Sequence, residues 1–267
     1  MDLHNYSYDR LRTTVEPLIR KAGDILLSYF GKNNLRSNEK AGNNGSVTEA
    51  DLHSEQFLIE SLRTVFPETS FFAEESGISG DSDYCWVIDP LDGTTNFEHR
   101  IPYFCISIAL TYKQVPQFAM VYQPLQDELF CAYRGAGALC NGVPISVSGK
   151  SVDRAIVVVG LPYEKTERCN CLFQLARRVV SEVYAVRHFG AVALDMAYLA
   201  RGSVDGLFLI DLGWWDIAAS MLLIEEAGGK VADFQGVYPG PDFDSVVSGT
   251  PLVYEWLTTT VKKAFSS

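Results

Sequence analysis

The sequence predicts a mixed protein, α+β in its first part and α/β in its second. A sheet-rich part, residues 1–150, is tightly joined to residues 151–267, where strands and helices alternate. Three observations carry this expectation. Helical spacing opens the chain, consecutive apolar runs separated by turn signals follow, and beyond Lys150 short apolar runs alternate with amphipathic stretches.

Leu11, Val15, Leu18, Ile19, Ala22, Ile25, Leu26 and Tyr29 recur at helical spacing, which predicts a helix from Tyr8 to Phe30 stopped by Gly31. Lys32 to Gly45 is polar and rich in Asn and Gly, and reads as a loop. Thr48 can cap a second helix that runs to Phe66 and ends at Pro67. Phe71–Ala73 and Cys85–Ile88 read as short strands, each feeding into acidic residues. Ile106–Thr111, Phe118–Tyr122 and Leu129–Tyr133 read as consecutive antiparallel strands. In the second part Ala155–Gly160 reads as a strand, Cys171–Val180 and Ala191–Leu199 as helices, and Asp205–Ile210 as a strand. A helix over Ile217–Ala227 and strands at Val231–Phe234 and Ser245–Ser248 complete the reading.

Of the 267 residues 47% are hydrophobic and 21% charged, a balance that excludes a disordered chain and allows a large core. The formal net charge of -11, with no local basic patch, argues against nucleic acid and anionic membranes as partners. It would also repel an anionic substrate unless bound cations reverse the local field. Six cysteines contain no C-x-x-C pair. Cys85 and Cys105 lie in apolar runs and read as small buried thiols; Cys169 and Cys171, flanking Asn170, read either that way or as a redox or metal pair. His53, His99 and His188 read as structural or surface residues. The start of the chain lacks a basic and apolar leader pattern, and its apolar runs are too short to span a bilayer, so the expectation is cytoplasmic.

The chemistry concentrates in Trp86-Val-Ile-Asp89-Pro90-Leu91-Asp92-Gly93-Thr94-Thr95-Asn96-Phe97. A buried strand ends in two carboxylates three residues apart, followed at once by Gly-Thr-Thr in what reads as a tight turn. Asp89, Asp92 and the Leu91 carbonyl are hard oxygen ligands of the kind Mg²⁺ takes. An Asx-type turn with both carboxylates in solvent is the competing reading. Gly93, Thr94 and Thr95 offer backbone N–H groups and a hydroxyl to an anion, or simply cap a helix. Glu74 and Glu75 end a strand as a metal ligand with a neighbouring base, or as a solvated pair. Asp51 falls in the first turn of a helix and Asp216 at or near the N-cap of another, where a carboxylate also serves the helix dipole. Trp214 and Trp215 would shield Asp216 and favour a paired or metal-bound carboxylate.

Three motifs in order, Phe72-Ala-Glu74-Glu75-Ser-Gly, the run Trp86 to Arg100, and Trp215-Asp216-Ile-Ala-Ala, resemble those of the inositol monophosphatase family of Mg²⁺-dependent phosphatases across nearly the whole chain. The resemblance implies a layered α-β-α-β-α sandwich of the inositol monophosphatase and fructose-1,6-bisphosphatase type, a homodimer, and lithium inhibition. It implies two or three Mg²⁺ ions, with Glu74, Asp89 and the Leu91 carbonyl on one, and Asp89, Asp92 and Asp216 on another. Asp51 and Glu74 would support a further, weaker site. Asp51 and Thr94 would orient the attacking water, and Gly93, Thr94 and Thr95 would hold phosphate oxygens. Lys40 falls where the family carries a mobile-loop lysine. Gly190 and Ala191 fall where it meets the substrate.

The substrate half departs from that pattern. Inositol-specific members carry a glutamate seven residues before the helix aspartate, and here that position is Leu209, with Asp211 nearby. After Gly190 the family carries Ser or Thr, and here stands Ala191, then Val192. The expected activity is hydrolysis of myo-inositol monophosphate or a similar polyol phosphate by a metal-activated water. The alternatives are a phosphatase of the same fold for fructose bisphosphate, a nucleotide 3′-phosphate or histidinol phosphate, and a non-catalytic interaction protein on this scaffold.

Overall fold

The computed structural model describes residues 6–32, 36–39, 46–161 and 167–265. Helix α1 (Tyr8–Tyr29) buries Leu11, Val15, Ile19, Ala22 and Leu26, one stripe at three- and four-residue spacing. Strands β1 (Ser37–Glu39) and β2 (Ser46–Thr48) pair antiparallel, which corrects the expectation of loop throughout Lys32–Gly45. A polar ribbon pairs through its backbone and leaves no apolar alternation to read. Helix α2 (Glu49–Val65) follows, capped by Thr48 as expected.

Strands β3 (Ser70–Ala73), β4 (Gly77–Ser79) and β5 (Tyr84–Asp92) lead into the short helix α3 (Thr94–Glu98). Then come β6 (Cys105–Tyr112), β7 (Val115–Gln123), β8 (Glu128–Tyr133), β9 (Ala138–Cys140) and β10 (Val143–Ile145). Apart from β1 and β2, these make one eight-stranded sheet, ordered β10-β9-β8-β7-β6-β5-β3-β4, with β3 and β5 parallel and the β6–β10 succession antiparallel.

The second sheet starts at β11 (Ile156–Val159). It is interleaved with α4 (Glu167–Val180), β12 (Ala185–Arg187), α5 (Val192–Ala200), β13 (Gly206–Ile210) and α6 (Trp214–Glu226). Strands β14 (Lys230–Ala232) and β15 (Ser245–Gly249) and helix α7 (Pro251–Phe265) complete it. The order is β12-β11-β13-β15-β14, and β12, β11 and β13 run parallel.

Burial alternates along the strands with period two and defines the layers. Trp86 and Ile88 of β5 and Ile106, Ile108 and Leu110 of β6 face a core shared with α1 and α2. Val87, Cys105 and Ala109 face the opposite way, into a core built from α5 and α6. Leu207 and Leu209 of β13 close that core from the second sheet, while Phe208 and Ile210 face α4 and α7. The molecule is thus the α-β-α-β-α sandwich expected.

Several boundaries shift. Helix α4 begins at Glu167 rather than Cys171, and α6 at Trp214 rather than Ile217, so Asp216 is the third residue of α6, near the N-cap Gly213. No disulfide forms among the described residues; Cys105 is fully buried and Cys85 only partly so. Cys169 is buried and Cys171 partly exposed along α4.

Candidate active site

In a regular strand Asp89 and Asp92, three residues apart, would face opposite sides of the sheet. They do not, because Asp89 pairs with Ser107 and Asp92 with Cys105, so three steps along β5 match two along β6. The extra residue is a β-bulge at Pro90–Leu91, and it turns both carboxylates toward α5 and α6. This corrects the expected turn after Ile88: the strand passes through Pro90, whose missing N–H is tolerated at a bulge. Ser54 of α2 donates to the Pro90 carbonyl at 3.1 Å, and the Leu91 N–H donates to Asp89 Oδ1 at 3.0 Å.

Asp216 arrives from the first turn of α6, where it accepts the Gly213 N–H at 2.6 Å. Asp89, Asp92 and Asp216 each present a carboxylate oxygen, and these oxygens lie within 4.8 Å of one another. Glu74 stands outside this triad but against it. Its N–H donates to the Ile88 carbonyl at 3.1 Å, and its carboxyl hydrogen-bonds that of Asp89. The turn that carries Glu74 and Glu75 is pinned by Glu55 of α2, which accepts the N–H groups of Glu75 and Ser76 at 2.8 and 2.9 Å.

Asp51 is buried in the first turn of α2, where Oδ2 accepts the Thr48 N–H at 3.0 Å and the Thr48 hydroxyl at 2.5 Å. Its other oxygen faces the Thr94 hydroxyl at 3.2 Å, and that hydroxyl also lies 3.1 Å from the Leu91 carbonyl. Burial pushes the Asp51 carboxyl up to about 7, against the pull of the Thr48 hydrogen bonds and with help from the charges of Glu74 and Glu75. Burial likewise pushes Asp89 well above the carboxylate range, and the charges of Glu74, Asp92 and Asp216 push it further. Asp92 is raised by burial too, although N–H groups of α5 oppose the rise. Burial and the neighbouring carboxylates together outweigh the Leu91 N–H that Asp89 accepts, and four acids converge with no cation among them in the geometry described above, so the site is short of positive charge. A divalent cation with hard oxygen ligands supplies that charge, and the donor set fits one.

Gly93 follows β5 as the N-cap of α3, in the left-handed region at φ 91°. A Cβ placed there would lie 3.0 Å from the Ala191 Cβ and 3.1 Å from the Tyr103 carbonyl oxygen, so only glycine lets α3 start this close to the Gly190–Ala191 segment. Thr94 and Thr95 open α3, where the first N–H groups lack intrahelical partners. The structure therefore brings Asp51, Glu74, Asp89, Leu91, Asp92, Gly93, Thr94, Thr95, Gly190, Ala191 and Asp216 together around the end of β5, where α2, α3, α5 and α6 begin. Lys40 lies outside the described residues. Leu209 is buried, and a Cβ at Gly160 would stand 2.3 Å from its Cδ2, so it fills the core under Gly160. Asp211, at φ 59°, pairs with Arg168 at 3.6 Å. Sequence reasoning missed Ser54, Glu55, Tyr103 and Asp195. The spacing Ser54–Glu55 one turn beyond Asp51 on a capped helix was the available signal for the first two.

The sequence profile of the inositol monophosphatase family matches residues 7–264. The chain belongs to the inositol monophosphatase family. Among its relatives, an inositol-1-monophosphatase of Mesorhizobium japonicum is 41% identical over 253 residues, covering 92% of this chain and 94% of that one. The Nus factor SuhB of Escherichia coli K12 is 37% identical over 250 residues, with the same shares covered. The crystal structure of the extragenic suppressor protein suhB of Bartonella henselae superposes with a TM-score of 0.90 at 34% identity, covering 95% of this chain and 98% of that one. Membership makes this a metal-dependent phosphatase family chain, and the acidic triad, with Asp89 and Asp92 buried and Asp216 half-buried, is where its metal can sit. Among the described residues no helix is long and apolar enough to cross a membrane.

Proposed function

We propose that the chain hydrolyses a small phosphate monoester, myo-inositol monophosphate or a similar polyol phosphate, with two or three Mg²⁺ ions as cofactors. The observation that carries the reading is the convergence of Asp89, Asp92 and Asp216 within 4.8 Å beside the Thr94–Asp51 pair. Glu74, Asp89, the Leu91 carbonyl, Asp92 and Asp216 would hold the ions. When bound, divalent cations neutralise the phosphate charge and make a nearby water more acidic.

The chain's own groups do the rest. The Thr94 hydroxyl accepts a hydrogen bond from the attacking water while its own proton points to Asp51. Burial raises the Asp51 carboxyl in the metal-free site, and cations bound beside it would draw it back down, leaving a carboxylate able to accept the proton that Thr94 passes on. Gly93, Thr94 and Thr95 hold phosphate oxygens at the start of α3 and fix the line of attack. Gly190 and Ala191 border the alcohol side, and Lys40 is assigned to the approach of the anion. The net charge of -11 supports a small ester rather than nucleic acid as partner. The reading extends to lithium sensitivity and a homodimer. It also divides the chain at residues 150 and 151, supported by one sheet ending at Ile145 and the other beginning at Ile156.

Leu209, sealed under Gly160, favours a second reading in which another metabolite ester is preferred, because a polyol loses a polar contact there. The test is phosphate release from a panel of esters with Mg²⁺, with a chelator, and with added Li⁺. Mg²⁺-dependent, Li⁺-sensitive release led by inositol phosphate is expected. Release led by another ester moves the substrate and keeps the chemistry. No release from any ester refutes the catalytic reading and favours the interaction protein; the SuhB relatives carry the name Nus factor rather than that of a phosphatase.

A further inference from the structure

Groups outside the acidic triad decide how Asp92 is held. Its Oδ1 accepts the Val192 N–H at 3.0 Å, and its Oδ2 accepts those of Ala193 at 2.7 Å and Leu194 at 3.4 Å. The plane of this carboxylate is therefore set by where α5 begins. Carboxylate oxygens keep lone pairs beyond those bonds. How well they aim at Asp89 and Asp216 depends on how firmly α5 is seated.

Helix α5 cannot seat itself, because its N-cap is Ala191, whose side chain caps nothing. One residue past the three donors stands Asp195, 2% exposed, whose Oδ1 accepts the Tyr103 phenol at 2.7 Å. Tyr103 lies between α3 and β6. Its ring stacks on Phe189 at 5.2 Å between centroids and meets Tyr198 of α5 edge-on at 5.9 Å. Its carbonyl accepts Asn96 Nδ2 at 2.9 Å, and the same amide reaches the Phe189 carbonyl at 2.8 Å. One side chain thus ties the segment after α3, the loop from β12 into α5, and α5 itself.

We propose that Tyr103 and Asp195 are a positioning pair that seats the N-terminus of α5 on Asp92 and so tunes the metal affinity of the Asp89–Asp92–Asp216 site. The pair acts through α5 and touches neither ion nor substrate. The inference rests on the metal-site reading of the triad. Partners that orient metal ligands from outside the coordination sphere typically change affinity by about 10–100-fold when removed.

The experiment is Mg²⁺ titration of the metal-free full-length protein by calorimetry, with the metal-free unfolding temperature of each variant measured beside it. Tyr103→Phe keeps the ring and removes the donor; Asp195→Asn keeps an acceptor in place for the phenol. Tyr103→Phe is expected to raise the Mg²⁺ dissociation constant roughly tenfold or more. Asp195→Asn should stay near the wild type, and adding Tyr103→Phe to Asp195→Ala should cost nothing beyond the single change. Unaltered Mg²⁺ affinity in Tyr103→Phe overturns the pair, even if its metal-free unfolding temperature drops, because that is a packing effect alone. Loss of affinity in Asp195→Asn equal to that in Tyr103→Phe also overturns it, since charge rather than the bond would then matter. If the wild-type protein binds no Mg²⁺, the metal reading fails and this inference with it. If the wild type binds and Tyr103→Phe binds equally well, the metal reading stands and only the pair falls.

Discussion

Thr94 is the residue through which a proton would leave the attacking water, since its hydroxyl lies 3.2 Å from Asp51 and 3.1 Å from the Leu91 carbonyl. Thr94→Val keeps the shape and removes the hydroxyl. Phosphate release should fall by about 10²-fold or more while Mg²⁺ affinity is little changed, and Thr94→Ser should recover much of the loss. Steady-state kinetics with parallel Mg²⁺ titration checks this; equal activity in the valine variant removes Thr94 from the mechanism. At this scale the acids were legible because hard ligands cluster in short motifs. Residues that act by supporting them were not. Glu55 and Ser54 look like ordinary helix polar residues until α2 is laid against the bulge. Tyr103 and Asp195 are far apart in the chain and meet only through the fold. Leu209 was rightly singled out as a departure, and the structure shows where it goes: into the core.

Among the elements, the start of α3 is closely fitted to its neighbours. Gly93→Ala would force a side chain into a left-handed residue against Ala191 and the Tyr103 carbonyl. The backbone term alone is about 1–2 kcal/mol, before any clash is counted. The unfolding temperature should therefore drop and phosphate release collapse together. A variant as stable and active as the wild type would show that α3 can back away. Long periodic elements such as α1 and α2 were readable, as were the layers that follow from period-two burial. β12 has three residues, too few to display a period. α7 was missed although its signals are present: Thr250 before Pro251, then Val253, Leu257 and Val261 on one face. The start of α6 was placed three residues too late, at Ile217 rather than Trp214, because a glycine N-cap hides the capping box that Asp216 shares with Gly213.

For the whole molecule, burying several acids at one seam has a thermodynamic sign. Asp51, Asp89, Asp92 and Asp195 all have carboxyl groups raised above the ordinary 3.8, chiefly by burial, with Asp51 near 7. The native state then holds protons that the unfolded chain has released, so their contribution is present below about 4 and is lost as pH rises toward neutrality. The surface acids Asp127 and Glu182 are lowered instead, and their effect falls below that window. In a chelator the unfolding temperature should fall between pH 4.5 and 8, and the gain on adding Mg²⁺ should widen over the same range, since metal takes the place of protons. Calorimetric scans across that range decide it, and a flat profile in chelator would refute the account. The bulge of β5 bears on the same seam as a matter of parity. Side chains in a strand behave like odd and even numbers, and Pro90–Leu91 adds the one count that makes Asp92 odd with Asp89. Pair those three steps regularly, without the bulge, and Asp92 changes sides, into the layer held by α1 and α2, leaving the opening of α5 with no anion to rest on; delete one residue instead and Asp92 stands two steps from Asp89, still on the same face. A one-residue gap at this point in a chain of this family is therefore the loss of a bulge and not a change of face.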